Sequence, residues 1–210
     1  KIDCSGRFCV EFSVRGETRY VDVFRSSLLE LAASHDIDIA FQKDSIYRRS
    51  RRLIVFDMDS TLIDTEVIDE LAVEAGIGEQ VSAITASAMR GELDFEKSLR
   101  MRVRLLSGLK EDILLDVAQR LRLNDGAEYL LKRLRQLGFK TAIVSGGFLF
   151  FASRLQSILD VDYVFANELD IVDGHLSGGL KGEIIDGNRK AELLCELATQ
   201  EGLHLEQVIA

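Results

Sequence analysis

The sequence predicts an α/β fold built on a parallel sheet, with a bundle of helices inserted after the first strand of that sheet. Three observations predict it. One short unbroken apolar run, Leu53-Ile54-Val55-Phe56, suits a strand buried on both faces, and Phe139 to Val144 reads as a second buried strand. Stretches with apolar residues every three or four positions separate such runs and read as helices. Strands and helices alternate from residue 53 onward, which is the pattern of a parallel sheet with crossover helices.

Each element follows in order. Residues 7–14 alternate as a strand, and Gly16 marks a turn. Val23, Leu28, Leu29 and Leu31 fall near helical spacing over residues 22–34, and Ile37, Ile39 and Phe41 alternate as a second strand. This first module spans residues 1–50 and ends in the run Arg48, Arg49, Arg51, Arg52. In an acidic chain that run reads as a solvated linker in preference to a phosphate or nucleic-acid patch. Beyond the strand at 53–56, three apolar series repeat every four residues: Val67, Leu71, Ala75; Phe95, Leu99, Val103; Ile113, Val117, Leu121. They predict three or four helices between residues 66 and 122. Residues 128–137 form another amphipathic helix, stopped by Gly138. Ser145-Gly146-Gly147 turns the chain after the second buried strand, and residues 148–159 are helical. Tyr163-Val164-Phe165 is a third strand, 169–185 a small hairpin, 188–201 a helix, and 206–210 the start of a fourth strand. The core then comprises residues 51–65 and 123–210, and the helical insert residues 66–122.

Composition narrows the function. The 210 residues are 47% hydrophobic and 29% charged, the balance of a folded globular chain. No apolar run reaches the ~18 residues that span a bilayer, and no signal peptide is evident. A net charge of −9 disfavours nucleic acid, because binding phosphates needs a basic face. An anionic ligand must therefore be drawn by a local site. Cys4, Cys9 and Cys195 lack zinc spacing and suit a reducing cytoplasm without a structural disulfide. The chain opens at Lys1 directly into strand-like sequence and stops within Val208-Ile209-Ala210, so the expectation is a fragment of a longer protein.

The chemistry gathers at strand ends. Asp57-Met58-Asp59-Ser60-Thr61 follows the first buried strand, where open α/β sheets bind ligands. Two carboxylates this close favour a divalent cation or a shifted pKa. The plainer reading is a helix cap supplied by Asp59 or Ser60. Ser145-Gly146-Gly147 offers backbone N–H groups and a hydroxyl suited to a phosphate oxygen, though a plain tight turn needs no ligand. Lys190 opens a helix, where its charge opposes the helix dipole; a phosphate partner would account for it, and so would simple solvation. Glu66, near the first strand's end, suits an ammonium group, and Arg102, on the insert, suits a carboxylate or a surface pair with Glu96.

The ordered set Asp57/Asp59, Ser145 and Lys190 resembles the haloacid dehalogenase-like phosphatases. More closely, Asp57 to Ile63 with Glu66 to Asp69, Phe95 to Val103, Val144 to Phe148, and Phe165-Ala166-Asn167 are similar to the phosphoserine phosphatase group of that superfamily. The resemblance covers about residues 51–210. It implies a Rossmann-like parallel sheet with a helical cap inserted after strand 1. Residues 1–47 resemble, more weakly, part of an ACT-type ligand-binding module of α+β class. That likeness implies pairing into a homodimer and serine as an effector.

Carried onto this chain, the resemblance implies that Asp57 is the nucleophile and that Asp59 first protonates the leaving oxygen and then activates water. Mg²⁺ would be held by the Asp57 carboxylate, the Asp59 backbone carbonyl and waters. Ser145, Gly146, Gly147 and Lys190 would bind the transferring phosphoryl group. Glu66, Met89, Phe95 and Arg102 would line the pocket for O-phosphoserine, Met89 and Phe95 being equally suited to plain core packing. A further family loop of the form Gly-Asp-x-x-x-Asp would follow the last strand, beyond Ala210. Two other readings stay open: a phosphotransferase of the same fold acting on a hydroxyl such as homoserine, and a non-catalytic amino-acid sensor.

Overall fold

The structure, a computed structural model, describes residues 2–4, 7–14, 16, 20–42, 46–47 and 50–210. The chain divides into two compact units, Lys1–Ser45 and Ile46–Ala210.

In the first unit β1 (Ile2–Cys4) pairs antiparallel with β2 (Arg7–Cys9), Ile2 facing Cys9. Helix α1 (Val21–His35) follows and ends at Asp36, whose left-handed φ of 51° lets its N–H reach the Ala32 carbonyl. Two sequence expectations need correction here. The strand expected over residues 7–14 stops at Cys9, and residues 10–14 are exposed coil. The strand expected at Ile37, Ile39 and Phe41 is absent. Alternation marks a strand only where a ladder partner exists, and Phe41 instead packs edge-on against Phe24 of α1, ring centroids 5.0 Å apart. Of the arginine run, Arg48 and Arg49 lie outside the described residues.

The second unit carries a five-stranded sheet of order β6-β5-β4-β3-β7. Its strands are β3 (Leu53–Phe56), β4 (Lys140–Phe148), β5 (Tyr163–Val172), β6 (His175–Lys181) and β7 (Val208–Ile209). β7, β3, β4 and β5 run parallel, and β6 returns antiparallel along β5 as the expected hairpin. Strand β4 is buried on both faces. Ile143 enters the larger core on one face, while Ala142 and Val144 enter the smaller core on the other.

Four helices occupy the insert: α2 (Val67–Glu74), α3 (Gly78–Met89), α4 (Phe95–Arg104) and α5 (Asp112–Arg120). Leu71, Val81, Leu99, Leu114 and Val117 of these helices are at most 2% exposed and join the larger core, whereas Phe95 is 42% exposed. Each full burial of such a side chain contributes about 1.5–3 kcal/mol. Helix α6 (Ala127–Gln136) leads into β4, and Gly138 at φ 76° makes the turn between them. Helix α7 (Leu149–Leu159) covers the larger core, and α8 (Gly187–Gln200) the smaller one. In register, Phe56 lies beside Ile143, so the carboxyl ends of β3 and β4 are neighbours. Among the described residues no helix is long and apolar enough to cross a membrane.

Candidate active site

The chain turns sharply once β3 ends. The Met58 carbonyl accepts the N–H groups of Leu62 at 2.9 Å and Ile63 at 3.1 Å, and Met58 itself is fully buried. Ser60 takes a left-handed φ of 54°, unusual for a residue with a Cβ, while its N–H donates to the Thr65 carbonyl at 3.2 Å. Asn124 pins the loop from outside, its amide donating to the carbonyls of Thr61 at 2.8 Å and Ile63 at 3.1 Å. This rigid turn lets Asp57 and Asp59, two residues apart, face one cavity.

That cavity has a volume of ≈ 150 Å³. Asp57, Asp59, Gly146, Gly147 and Lys190 form its floor, and Glu66, Phe95 and Arg102 line it from the insert side. Asp57 Oδ1 accepts the Met58 N–H at 2.8 Å, and Asp57 Oδ2 meets the Lys190 ammonium at 2.7 Å. Lys190 reaches it from the first turn of α8, where Asp186 caps the helix by accepting the Arg189 N–H at 2.8 Å.

Asp59 Oδ1 accepts the Val67 N–H at 3.0 Å, but the N-cap residue of α2 is Glu66, so neither Asp59 nor Ser60 takes the cap position that the plainer sequence reading gave them. The other oxygen lies against Gly147: a Cβ added there would stand 2.2 Å from Asp59 Oδ2. Burial pushes the Asp59 carboxyl up to about 7; the Val67 hydrogen bond opposes the shift, and the nearby Glu66 and Asp57 charges add to it. A carboxyl raised in this way favours the folded state while it is protonated. Its contribution is full below its unfolded value near 4 and is lost as pH rises through about 7. Metal-free protein should therefore lose roughly 4 kcal/mol more stability than Asp59→Asn between about pH 4 and pH 7. Denaturant unfolding in a chelator measures this; parallel slopes for the two proteins contradict the protonated Asp59.

Ser145, Gly146 and Gly147 leave the β4–β5 ladder. Pairing shifts from Val144 opposite Phe165 to Phe148 opposite Asn167, so two extra residues bulge out of β4. The Ser145 hydroxyl is buried beneath this bulge and accepts the Gly147 N–H at 2.9 Å. Phe95 closes over Gly146 so tightly that a Cβ there would meet the ring at 2.9 Å. Glu66 Oε1 accepts the Ser60 hydroxyl at 2.7 Å. Arg102 is half-buried and makes no ion pair among the described residues; its Nε donates only to the Ser98 carbonyl, at 3.3 Å. Burial pulls its guanidinium below the ordinary value, and the Asp69, Glu66 and Asp59 carboxylates pull the other way.

The structure thus brings Asp57, Asp59, Glu66, Phe95, Arg102, Gly146, Gly147 and Lys190 to one cavity, with Ser145 directly beneath it. It does not bring Met89 there. Met89 ends α3 and is 85% exposed, because the buried face of that helix is carried by Val81. The residues sequence reasoning missed are Ile68, Leu99 and Phe148, which also line the cavity. Their helical or strand-end periodicity made them look like ordinary core.

The donor set suits a hard cation. It consists of carboxylate and backbone oxygens without sulfur or imidazole, and Gly147 leaves space beside Asp59 that any side chain would fill.

The family model of the haloacid dehalogenase-like hydrolases matches residues 54–210, the span that builds this cavity. The chain belongs to this family. Among its relatives is a phosphoserine phosphatase of Archaeoglobus fulgidus, 46% identical over 96% of this chain and 58% of that protein. One from Methanocaldococcus jannaschii is 43% identical over 77% of each chain. The hydrolase-family chain spans about half the length of the curated relatives it first matches, 58%, 48% and 45% of them. Solved structures agree. A HAD-family hydrolase from Salmonella enterica serovar Typhi superposes with a TM-score of 0.82 at 34% identity, over 90% of this chain and 64% of that one. A phospho-aspartyl intermediate analogue of a phosphoserine phosphatase superposes at 0.71 with 44% identity, over 75% of this chain and 76% of that one.

Proposed function

We propose that this chain hydrolyses O-phosphoserine to serine and phosphate through an aspartyl-phosphate on Asp57. One observation carries the reading: a single small cavity is lined both by a carboxylate paired with a lysine and by Arg102 and Glu66, the arginine making no ion pair among the described residues. O-phosphoserine carries groups of matching sign, a phosphate at one end and a carboxylate and an ammonium at the other. The relatives named for phosphoserine support the same substrate.

The Asp57 carboxylate attacks phosphorus as the bond to the serine oxygen breaks, and Asp59 donates its proton to that oxygen. A carboxyl held near 7 is suited to this, since it carries a proton at neutral pH and gives it up readily. Water then attacks the phosphorus of the aspartyl-phosphate, Asp59 takes the water's proton, and phosphate leaves with Asp57 regenerated. A phosphate dianion would be repelled by Asp57 alone; the Lys190 ammonium, 2.7 Å from it, offsets that repulsion. Backbone N–H groups of the Ser145–Gly147 bulge and the Ser145 hydroxyl hold the phosphoryl oxygens. Mg²⁺ would be held by the Asp57 carboxylate and the Asp59 carbonyl, and when bound it neutralises charge on the phosphoryl group. Glu66 receives the ammonium and Arg102 the carboxylate. Phe95 walls the pocket.

Residues 1–50 we read as part of an ACT-like module that takes serine as effector and pairs two copies. The Archaeoglobus relative, aligned over 96% of the chain, supports a shared leading segment. Sparse cysteines, with Cys9 and Cys195 free, support a cytoplasmic setting.

The test is release of serine and phosphate from O-phosphoserine with Mg²⁺, with homoserine present in a parallel reaction. Equal phosphate yields in the two reactions are expected. No release beyond that of an Asp57→Asn control would overturn the proposal. The substrate's carboxylate gives a sharper check. Arg102→Ala should raise KM for O-phosphoserine about 10- to 100-fold, the loss of one charge-assisted hydrogen-bonded pair. Phosphoethanolamine, which lacks the carboxylate, should change little. Equal effects on both substrates would remove Arg102 from that role.

A further inference from the structure

We infer that Asn167 is a positioning residue whose side-chain amide sets the spacing between the glycine bulge and Lys190, the two halves of the phosphate cradle. The inference rests on the phosphatase reading above. Asn167 lies on β5, is 2% exposed, and uses both ends of its amide. Its Nδ2 donates to the Gly146 carbonyl at 2.8 Å, and its Oδ1 accepts the Ile185 N–H at 2.8 Å. The partners fix the orientation of the amide, since a carbonyl can only accept and an N–H can only donate.

These two hydrogen bonds join segments far apart in the chain. Gly146 belongs to the bulge that leaves the β4–β5 ladder, so its carbonyl needs a partner other than a neighbouring strand. Ile185 immediately precedes Asp186, the cap of α8, and that helix carries Lys190 in its first turn. Lys190 in turn reaches Asp57 Oδ2 at 2.7 Å. One amide therefore holds the bulge behind β4 and the base of α8 at a fixed distance. No other uncharged side chain of this length supplies a donor and an acceptor diverging from one carbon. A leucine offers neither, and a serine serves one partner at a time.

The experiment uses the full chain with Mg²⁺. Calorimetry with inorganic phosphate gives Kd, steady-state kinetics with O-phosphoserine gives kcat and KM, and circular dichroism gives Tm, for wild type, Asn167→Ala and Asn167→Ser. Both substitutions are neutral, so neither brings a charge to the site. Misplacing a phosphoryl ligand by ~1 Å costs about 10²-fold in rate, so kcat should fall by about that factor. Phosphate Kd should weaken about 10-fold, the equivalent of losing one good ligand contact. A role confined to folding would lower Tm and the number of active molecules, yet each folded molecule would keep the wild-type phosphate Kd. Wild-type Kd in a folded variant overturns the inference, as does failure of both variants to fold, which would make Asn167 a folding determinant. A wild-type chain that binds no phosphate overturns the phosphatase reading itself, and the positioning role with it.

Discussion

Asp57→Asn is expected to lower kcat for O-phosphoserine by about 10⁴-fold or more, the scale seen when a covalent nucleophile is removed. The substitution is nearly isosteric. An amide can keep an acceptor for the Met58 N–H, which now donates to Asp57 Oδ1 at 2.8 Å, so the turn after β3 should persist. The amide cannot attack phosphorus to leave a hydrolysable acyl phosphate, and it cancels the ion pair with Lys190. That pair is half-exposed, so its loss should cost at most ~1 kcal/mol of stability. The signature is therefore a near-total loss of turnover with little change in Tm, measured by phosphate release and thermal unfolding. Residual turnover within 10-fold of wild type would point to water attacking directly.

Lys190→Ala should lower kcat/KM by about 10²- to 10³-fold, the usual cost of removing a preorganised charge from a transition state. The floor and wall of the cavity carry three carboxylates, Asp57, Asp59 and Glu66, against Lys190 and Arg102. Without Lys190 the floor of the cavity offers the phosphoryl group no cationic side chain, only Asp57, Asp59, the Ser145 hydroxyl and backbone N–H groups. The loss should appear in both kcat and KM, since the dianion is bound as well as transferred. Lys190→Arg should recover little: a planar fork does not replace a compact ammonium 2.7 Å from Asp57 Oδ2. Full recovery by arginine would show that charge alone matters and that the geometry at α8 does not.

The parts of this molecule that could be read from the sequence are those with a local signature. Leu53 to Phe56 announced a central strand because both faces are buried, which leaves no polar interruption, and Phe139 to Val144 read as a second despite Lys140 and Thr141. The position of Asp57, Asp59 and the Ser145–Gly147 bulge at strand ends then followed from where parallel sheets bind ligands. Lys190 stood out because its charge opposes the helix dipole. What stayed hidden depends on contacts between distant segments. Asn167 holds partners 21 and 18 residues away. Asn124 reaches back 63 residues to pin the turn at Thr61. Neither leaves a periodic trace. The left-handed Ser60 is set by the loop that closes over it, and serine carries no mark of that backbone. In the first unit, three alternating apolar residues at 37–41 imitated a strand, but Phe41 satisfied itself against one helical ring instead.

The proposed covalent step on Asp57 is open to a direct chemical reading. Protein quenched during turnover of O-phosphoserine is treated with borohydride, which reduces an aspartyl-phosphate to homoserine, and the peptides are mapped by mass spectrometry. Homoserine at position 57, absent when substrate is omitted, is the result expected. Turnover with unmodified Asp57, or with the reduced residue at another carboxylate, would contradict it.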